Sequence, residues 1–198
     1  MSPTSQRDKV AKLAKQDPAA ALDLARVISD PWFKAQALAN VARHTHADPL
    51  PSACEAKVAA DCCSDSFKRT AVRAWEIAAL AEREQLSEAR EALLASVKQA
   101  ALVTPAGSQA EALTLLLEAS TRIGIKETRL VSEKLLALFV NEPHWRCVRA
   151  VKQATAILTK MDVKVAQQYV DSIGDPKIKS ACQKEIEKGG AVPRPFFL

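Results

Sequence analysis

The sequence predicts an all-α chain, a single domain made of a row of helical hairpins, and three observations predict it. Alanine is abundant and only 5 of the 198 residues are glycine, a balance that favours helix. Aromatic residues make up 5%, with one tyrosine, so the usual strand formers are thin. The prolines and glycines between residues 17 and 176 all fall in short polar gaps: Pro18, Pro31, Pro49 and Pro51, Pro105 and Gly107, Gly124, Pro143, and Gly174 and Pro176.

Between these breaks apolar residues recur at helical spacing, and no window alternates with period two. The helices so defined cover residues 5–16, 18–29, 31–44, 51–63, 66–83, 86–103, 107–123, 127–141, 143–160, 162–173 and 176–188. Leu22, Ala25 and Ile28 mark the stripe of the second, and Leu38, Val41 and Ala42 that of the third. Ile77, Leu80 and Ala81 follow, then Leu113, Leu116 and Leu117, then Leu135, Leu138 and Phe139, then Val148, Val151 and Ala154. Residues 1–188 form the helical domain. The last ten, 189–198, begin Gly189-Gly190 and carry Pro193 and Pro195; they form an irregular tail, either loose or docked by Phe196-Phe197-Leu198.

The junctions repeat. Ser29-Asp30-Pro31-Trp32-Phe33-Lys34-Ala35, Asn141-Glu142-Pro143-His144-Trp145-Arg146-Cys147 and Gly174-Asp175-Pro176-Lys177-Ile178-Lys179-Ser180 share one pattern, and Ser64-Asp65-Ser66-Phe67-Lys68-Arg69 is a version without proline. The acid suits the N-cap, where it accepts orphan N–H groups, and proline at the first helical position needs no donor. The base four residues on (Lys34, Arg146, Lys179) is placed to pair back to the acid across one turn. The large residue (Phe33, Trp145, Ile178) is placed to plug between helices.

These junctions recur with a period of about 35 residues, the length of a helix–turn–helix unit that stacks because it cannot bury its face alone. The chain therefore reads as an α-α superhelix, a right-handed solenoid of about five hairpins behind one N-terminal capping helix. By period and junction pattern it resembles the broad HEAT/TPR-like class over residues 5–188, although the tetratricopeptide signature is absent. That resemblance implies a curved scaffold whose inner face, lined by the second helix of each hairpin, binds a partner.

Net charge is +5 and uneven, with ten bases against six acids over residues 134–188. No apolar run is long enough for a membrane span. The polar start Met1-Ser2-Pro3-Thr4-Ser5 leads into no apolar region, so the expected address is cytoplasmic. Cys54, Cys62, Cys63, Cys147 and Cys182 are an odd number without framework spacing, and read as reduced, mostly buried small hydrophobes.

No glycine-rich phosphate loop, nucleophile elbow or metalloprotease motif is present, and 3 histidines leave a hydrolytic triad little to use. His44, His46 and Asp48 lack a fourth ligand for a closed metal site. Neither a cofactor nor an enzymatic role is expected.

Trp32, Phe33, Phe67, His144 and Trp145 gather at the starts of second helices. The bland reading makes them plugs repeated because the hairpin repeats; the other makes them an aromatic row along a groove. Trp75 reads as core. The candidate partner-binding residues are the bases on second helices: Lys34, Lys68, Arg69, Arg73, Arg146, Arg149 and Lys152. Arg146, Arg149 and Lys152 share one helix face and suit phosphates or an acidic peptide. The bland alternative is a solvated face paired with Asp30, Asp65, Glu142 and neighbours.

Two functions follow as expectations. The first is a non-enzymatic protein- or peptide-binding scaffold. The alternative is nucleic-acid binding on the basic second helices, in the manner of the HEAT-like alkylpurine glycosylases, which this pattern distantly resembles.

Overall fold

The structure, a computed structural model, describes residues 1–197; Leu198, the end of the expected Phe-Phe-Leu anchor, lies outside the described residues. Eleven helices and no strand occur among them. They are α1 (Pro3–Ala14), α2 (Pro18–Arg26), α3 (Pro31–His44), α4 (Leu50–Asp61), α5 (Ser66–Glu82), α6 (Leu86–Ala100), α7 (Ala106–Ser120), α8 (Ile125–Asn141), α9 (Trp145–Met161), α10 (Val163–Asp171) and α11 (Pro176–Glu187). The all-α class holds, and each expected segment overlaps one of these helices, with ends displaced by up to three residues. No helix among the described residues is long and apolar enough to cross a membrane.

Capping explains where several helices begin. The Asp30 carboxylate accepts the N–H groups of Trp32 (2.9 Å) and Phe33 (3.2 Å), and Asp175 accepts those of Lys177 (2.8 Å) and Ile178 (3.0 Å). Asp65 accepts the Lys68 N–H at 2.8 Å, and that bond holds its carboxyl below the usual carboxylate range. The remaining junction departs from the pattern. Helix α9 starts at Trp145, and His144, not Glu142, is its cap, with Nδ1 accepting the Arg146 N–H at 3.2 Å. Glutamate is one methylene longer than aspartate and is not a favoured N-cap.

The junction bases also act differently from the expectation. Lys34 donates to the Arg26 carbonyl at 2.7 Å, and Lys179 to the Asp171 carbonyl at 3.2 Å. Each thereby caps the end of the preceding helix. Those terminal carbonyls are unsatisfied and carry the negative end of the helix dipole, whereas the junction aspartates are already engaged by backbone N–H groups.

Packing follows chain order. Helices α1, α3, α5, α7, α9 and α11 contact one another in succession, and each even-numbered helix lies against the odd ones on either side of it. No two even-numbered helices pack extensively on each other. Helix α3 packs more closely on α4 than on α2, and α5 more closely on α6 than on α4. The Asp-Pro junction marks a helix start; which neighbour that helix hugs is decided by the apolar faces. Side-chain bonds between successive odd helices join residues about one repeat apart, as in Glu118–Gln153 (35 residues) and Glu82–Arg122 (40 residues).

One connected core runs from Val10 to Phe197. Alanines such as Ala35, Ala39, Ala74, Ala78 and Ala119 are wholly or almost wholly buried, and their small side chains let helices approach closely. Leu38, Ile77, Leu116 and Ile157 supply the large buried groups on α3, α5, α7 and α9. Truncating any of them to alanine would cost about 2–5 kcal/mol.

The expectation for Trp145 fails, and that for the cysteines holds for three of the five in burial. Trp145 is 60% exposed and is no plug. All five cysteines are free, but Cys54 and Cys62 are exposed while Cys63, Cys147 and Cys182 are buried. Cys54 lies on an outward face of α4, and Cys62 follows the end of that helix as its C-cap.

The tail is docked. Gly189 and Gly190 take φ of +81° and +73°, and the Gly190 N–H closes α11 by donating to the Glu185 carbonyl at 3.1 Å. This left-handed stop, which glycine adopts without strain, turns the chain back onto α9. There the Ala191 N–H donates to the Ala156 carbonyl at 3.0 Å. A Cβ on Gly190 would stand 2.4 Å from that same carbonyl oxygen, so no other residue fits without a shift.

Candidate peptide-binding face

The row of odd-numbered helices carries a surface crossed by the C-terminal tail. After Ala191 binds α9, Arg194 lies near enough to Glu118 of α7 to act on its titration. Phe196 then sits between α7 and α5: its ring stands edge-on to Trp75 at 5.2 Å, 83° between planes, and the Arg122 guanidinium covers it at 5.1 Å. The Trp75 indole N–H donates to the Phe196 carbonyl at 3.2 Å. Phe197 ends on α3, buried, with the Arg43 guanidinium 4.7 Å from its ring centre.

A single carboxylate sets both guanidinium groups. Glu82, at the end of α5, accepts from Arg122 Nε at 2.8 Å through one oxygen and from Arg43 Nε through the other. Arg43, Glu82 and Arg122 are thus one unit bridging three helices, and each guanidinium stands over a phenylalanine ring. Cation–π contacts of this kind contribute about 0.5–2 kcal/mol each. Nearer α9, Glu118 accepts from Gln153 Nε2 at 2.7 Å. Burial raises its carboxyl above the ordinary range, and Arg194, Gln153 and Arg122 only partly offset this.

The aromatic contacts continue away from the tail. Trp75 meets Trp32 edge-on at 5.9 Å, and Trp32 stacks on Phe67 at 6.4 Å. The row Phe67–Trp32–Trp75–Phe196 is half-buried, and its Phe67–Trp32 end borders a cavity of about 390 Å³ whose wall includes Phe33, Cys63 and Lys68. Trp75 is therefore not plain core; its ring faces the tail. His144 and Trp145 stand outside the row, with Trp145 instead covered by Arg146 and Arg149 at 5.2 and 5.4 Å.

The seven bases singled out from the sequence do not converge here. Lys34 caps α2, as described, and Lys68 is an exposed partner of Asp65 at 3.6 Å. Arg69 is half-buried, and its Nε meets no hydrogen-bond partner. Arg73 is a correction: it is 5% exposed and bound to Glu76 at 2.5 Å, on the side facing α4 and α6. Burial pushes the Glu76 carboxyl up despite that arginine. Arg146, Arg149 and Lys152 do share a face, but each meets a carboxylate of a neighbouring helix. Arg146 and Arg149 lie 3.5 and 3.1 Å from Glu111, and Lys152 lies 3.8 Å from Glu185.

Arg43, Glu82 and Arg122 were not found from the sequence because the junction motif draws attention to helix starts, and these three sit at helix ends. A signal was present: an alternating base, acid, base at intervals of 39 and 40 residues.

No protein-family model, curated protein or solved structure matches this chain.

Proposed function

We propose that the hairpins stack as a right-handed superhelix and that its inner face, lined by α3, α5, α7 and α9, is a non-enzymatic scaffold for an extended protein segment. The ordered contacts of the odd-numbered helices and the splaying of the even-numbered ones support the curvature, since the closer-packed layer is the concave one. The observation that carries the binding reading is the tail itself. A stretch without helix or strand lies across four helices, held by a main-chain bond, an indole bond and two covered rings. Extended peptides are recognised in this manner, by main-chain bonds plus pockets for side chains.

The test is selection of binders from a random peptide library on the full chain, followed by substitutions. Peptides that bind the inner face lose affinity with Trp75→Ala and keep it with Lys164→Ala on α10. Binders indifferent to Trp75 would remove the reading. So would binding of duplex DNA alone, with the steep salt dependence of phosphate contacts; that result would assign function to the α9 bases instead.

A further inference from the structure

We infer that the partner segment carries two adjacent phenylalanines, and that the chain's own Phe196-Phe197 is a competitor that leaves when the partner binds. The inference rests on the peptide-binding reading and names its ligand class.

The receiving side is built for rings. The Glu82 carboxylate fixes Arg43 and Arg122 at the ends of α3 and α7, one over each phenylalanine. Trp75 adds an edge-on contact and a donor that reads the main chain. Two rings on adjacent residues are what this spacing accepts: one phenylalanine would leave an arginine without a ring. Arg146, Arg149 and Lys152 on α9 each meet a carboxylate, and the tail is held through its rings and main chain, so charge is not the main recognition element.

The tail is held in a way that permits exchange. Val192 is 73% exposed, and Ala191, Arg194 and Pro195 are exposed as well. Pro193 and Pro195 have no N–H to donate. Between the Ala191 bond to α9 and the rings, no main-chain bond ties the tail down. Segments with few buried contacts and few backbone bonds open at low free energy. Gly189-Gly190, both at positive φ, forms a natural pivot. A tethered segment of this length acts at an effective concentration in the millimolar range. It therefore masks the face against weak ligands and yields to a strong one.

The experiment uses a labelled synthetic peptide, Gly-Gly-Ala-Val-Pro-Arg-Pro-Phe-Phe-Leu, and the same peptide with both phenylalanines replaced by alanine. Binding is read by fluorescence polarisation on the full-length protein and on full-length Gly190→Val, whose side chain collides with the Ala156 carbonyl and lifts the tail without touching the rings' site. A second opened form, Phe196→Ala with Phe197→Ala, stands in should the first not fold. The expected result is at least tenfold tighter binding to the opened forms than to the native chain, lost with the alanine peptide. Equal binding of the alanine peptide overturns the aromatic pair but leaves the peptide-binding face standing. Binding only of library peptides without such a pair does the same. Absence of any peptide binding to the opened, folded chain sinks both. A shift of the opened chain to a dimer by light scattering assigns the face to a second copy and overturns the partner proposed here.

Discussion

The indole N–H of Trp75 and the main-chain carbonyl of Phe196 meet at 3.2 Å although 121 residues separate them in the chain. That bond ties the end of the sequence to the middle of α5. It also fixes the register of the tail, because it reads the backbone at one residue while Arg122 and Arg43 cover the rings on either side of it.

Glu82 is the hinge of the arginine pair. Replacing it by glutamine keeps the shape and removes the charge that both guanidinium groups share. Its side chain is 25% exposed, so solvent takes up part of the loss, and Glu82→Gln is expected to lower stability by about 1 kcal/mol. Hydrogen exchange should accelerate in the tail and at the ends of α3 and α7. A variant with unchanged tail protection would show that Arg43 and Arg122 hold their places without it.

The all-α helix pattern was legible in the sequence because helix starts are written locally. Asp30, Asp65 and Asp175 announce their helices within four residues, and the breaks at proline and glycine bound the rest. Docking by the phenylalanines was one of two alternatives the sequence left open for the tail; the choice and the place were not legible, because they depend on Gly190 meeting the Ala156 carbonyl and Phe197 meeting Arg43, contacts between positions with no shared local pattern. Trp145 misled for a related reason. Its junction resembles that of Phe33, yet the shifted start of α9 turns the ring outward, beside Arg146 and Arg149. The basic residues on second helices were visible; that Glu111 and Glu185 would neutralise three of them was not.

Glu84 closes α5 in a left-handed conformation, φ +62°, with the Gln85 N–H donating to the Leu80 carbonyl at 2.9 Å. A side chain in that region costs about 1 kcal/mol relative to glycine. Glu84→Gly should therefore raise the melting temperature by about 2–4 °C for a chain of this size. A lowered value would mean that the Glu84 side chain contributes a contact larger than the strain.

Thiol chemistry should divide the cysteines into two groups. Cys54 and Cys62 are exposed and should label quickly in the native protein. Cys63 is buried, and burial, with Asp30 and Asp65 nearby, pushes its thiol up to about 11. Burial raises Cys147 and Cys182 as well. These three should react only on unfolding, since the thiolate is the reacting form. Fast labelling of all five would contradict the core packing.

The Glu118 carboxyl, raised by burial, sets a pH dependence with a definite sign. The folded chain binds this proton more tightly than the unfolded one. Its contribution to stability is therefore greatest below the ordinary carboxylate value and is lost as pH rises through the raised one. Glu118→Gln keeps an acceptor for Gln153 and removes the charge, so its melting temperature should exceed that of the native chain near neutral pH and lose that advantage in acid. An advantage that is the same at every pH would assign the effect to packing.

The tail crosses the odd-numbered helices with Phe196 against Trp75. A nuclear Overhauser spectrum of the full-length protein tests it directly. Cross-peaks are expected from the Trp75 indole N–H and ring to Phe196, present in the native chain and gone in Gly190→Val, with the helical spectrum otherwise retained. Native protein whose Trp75 shows no contact with Phe196, and whose indole resonance is unmoved by Gly190→Val, would contradict it.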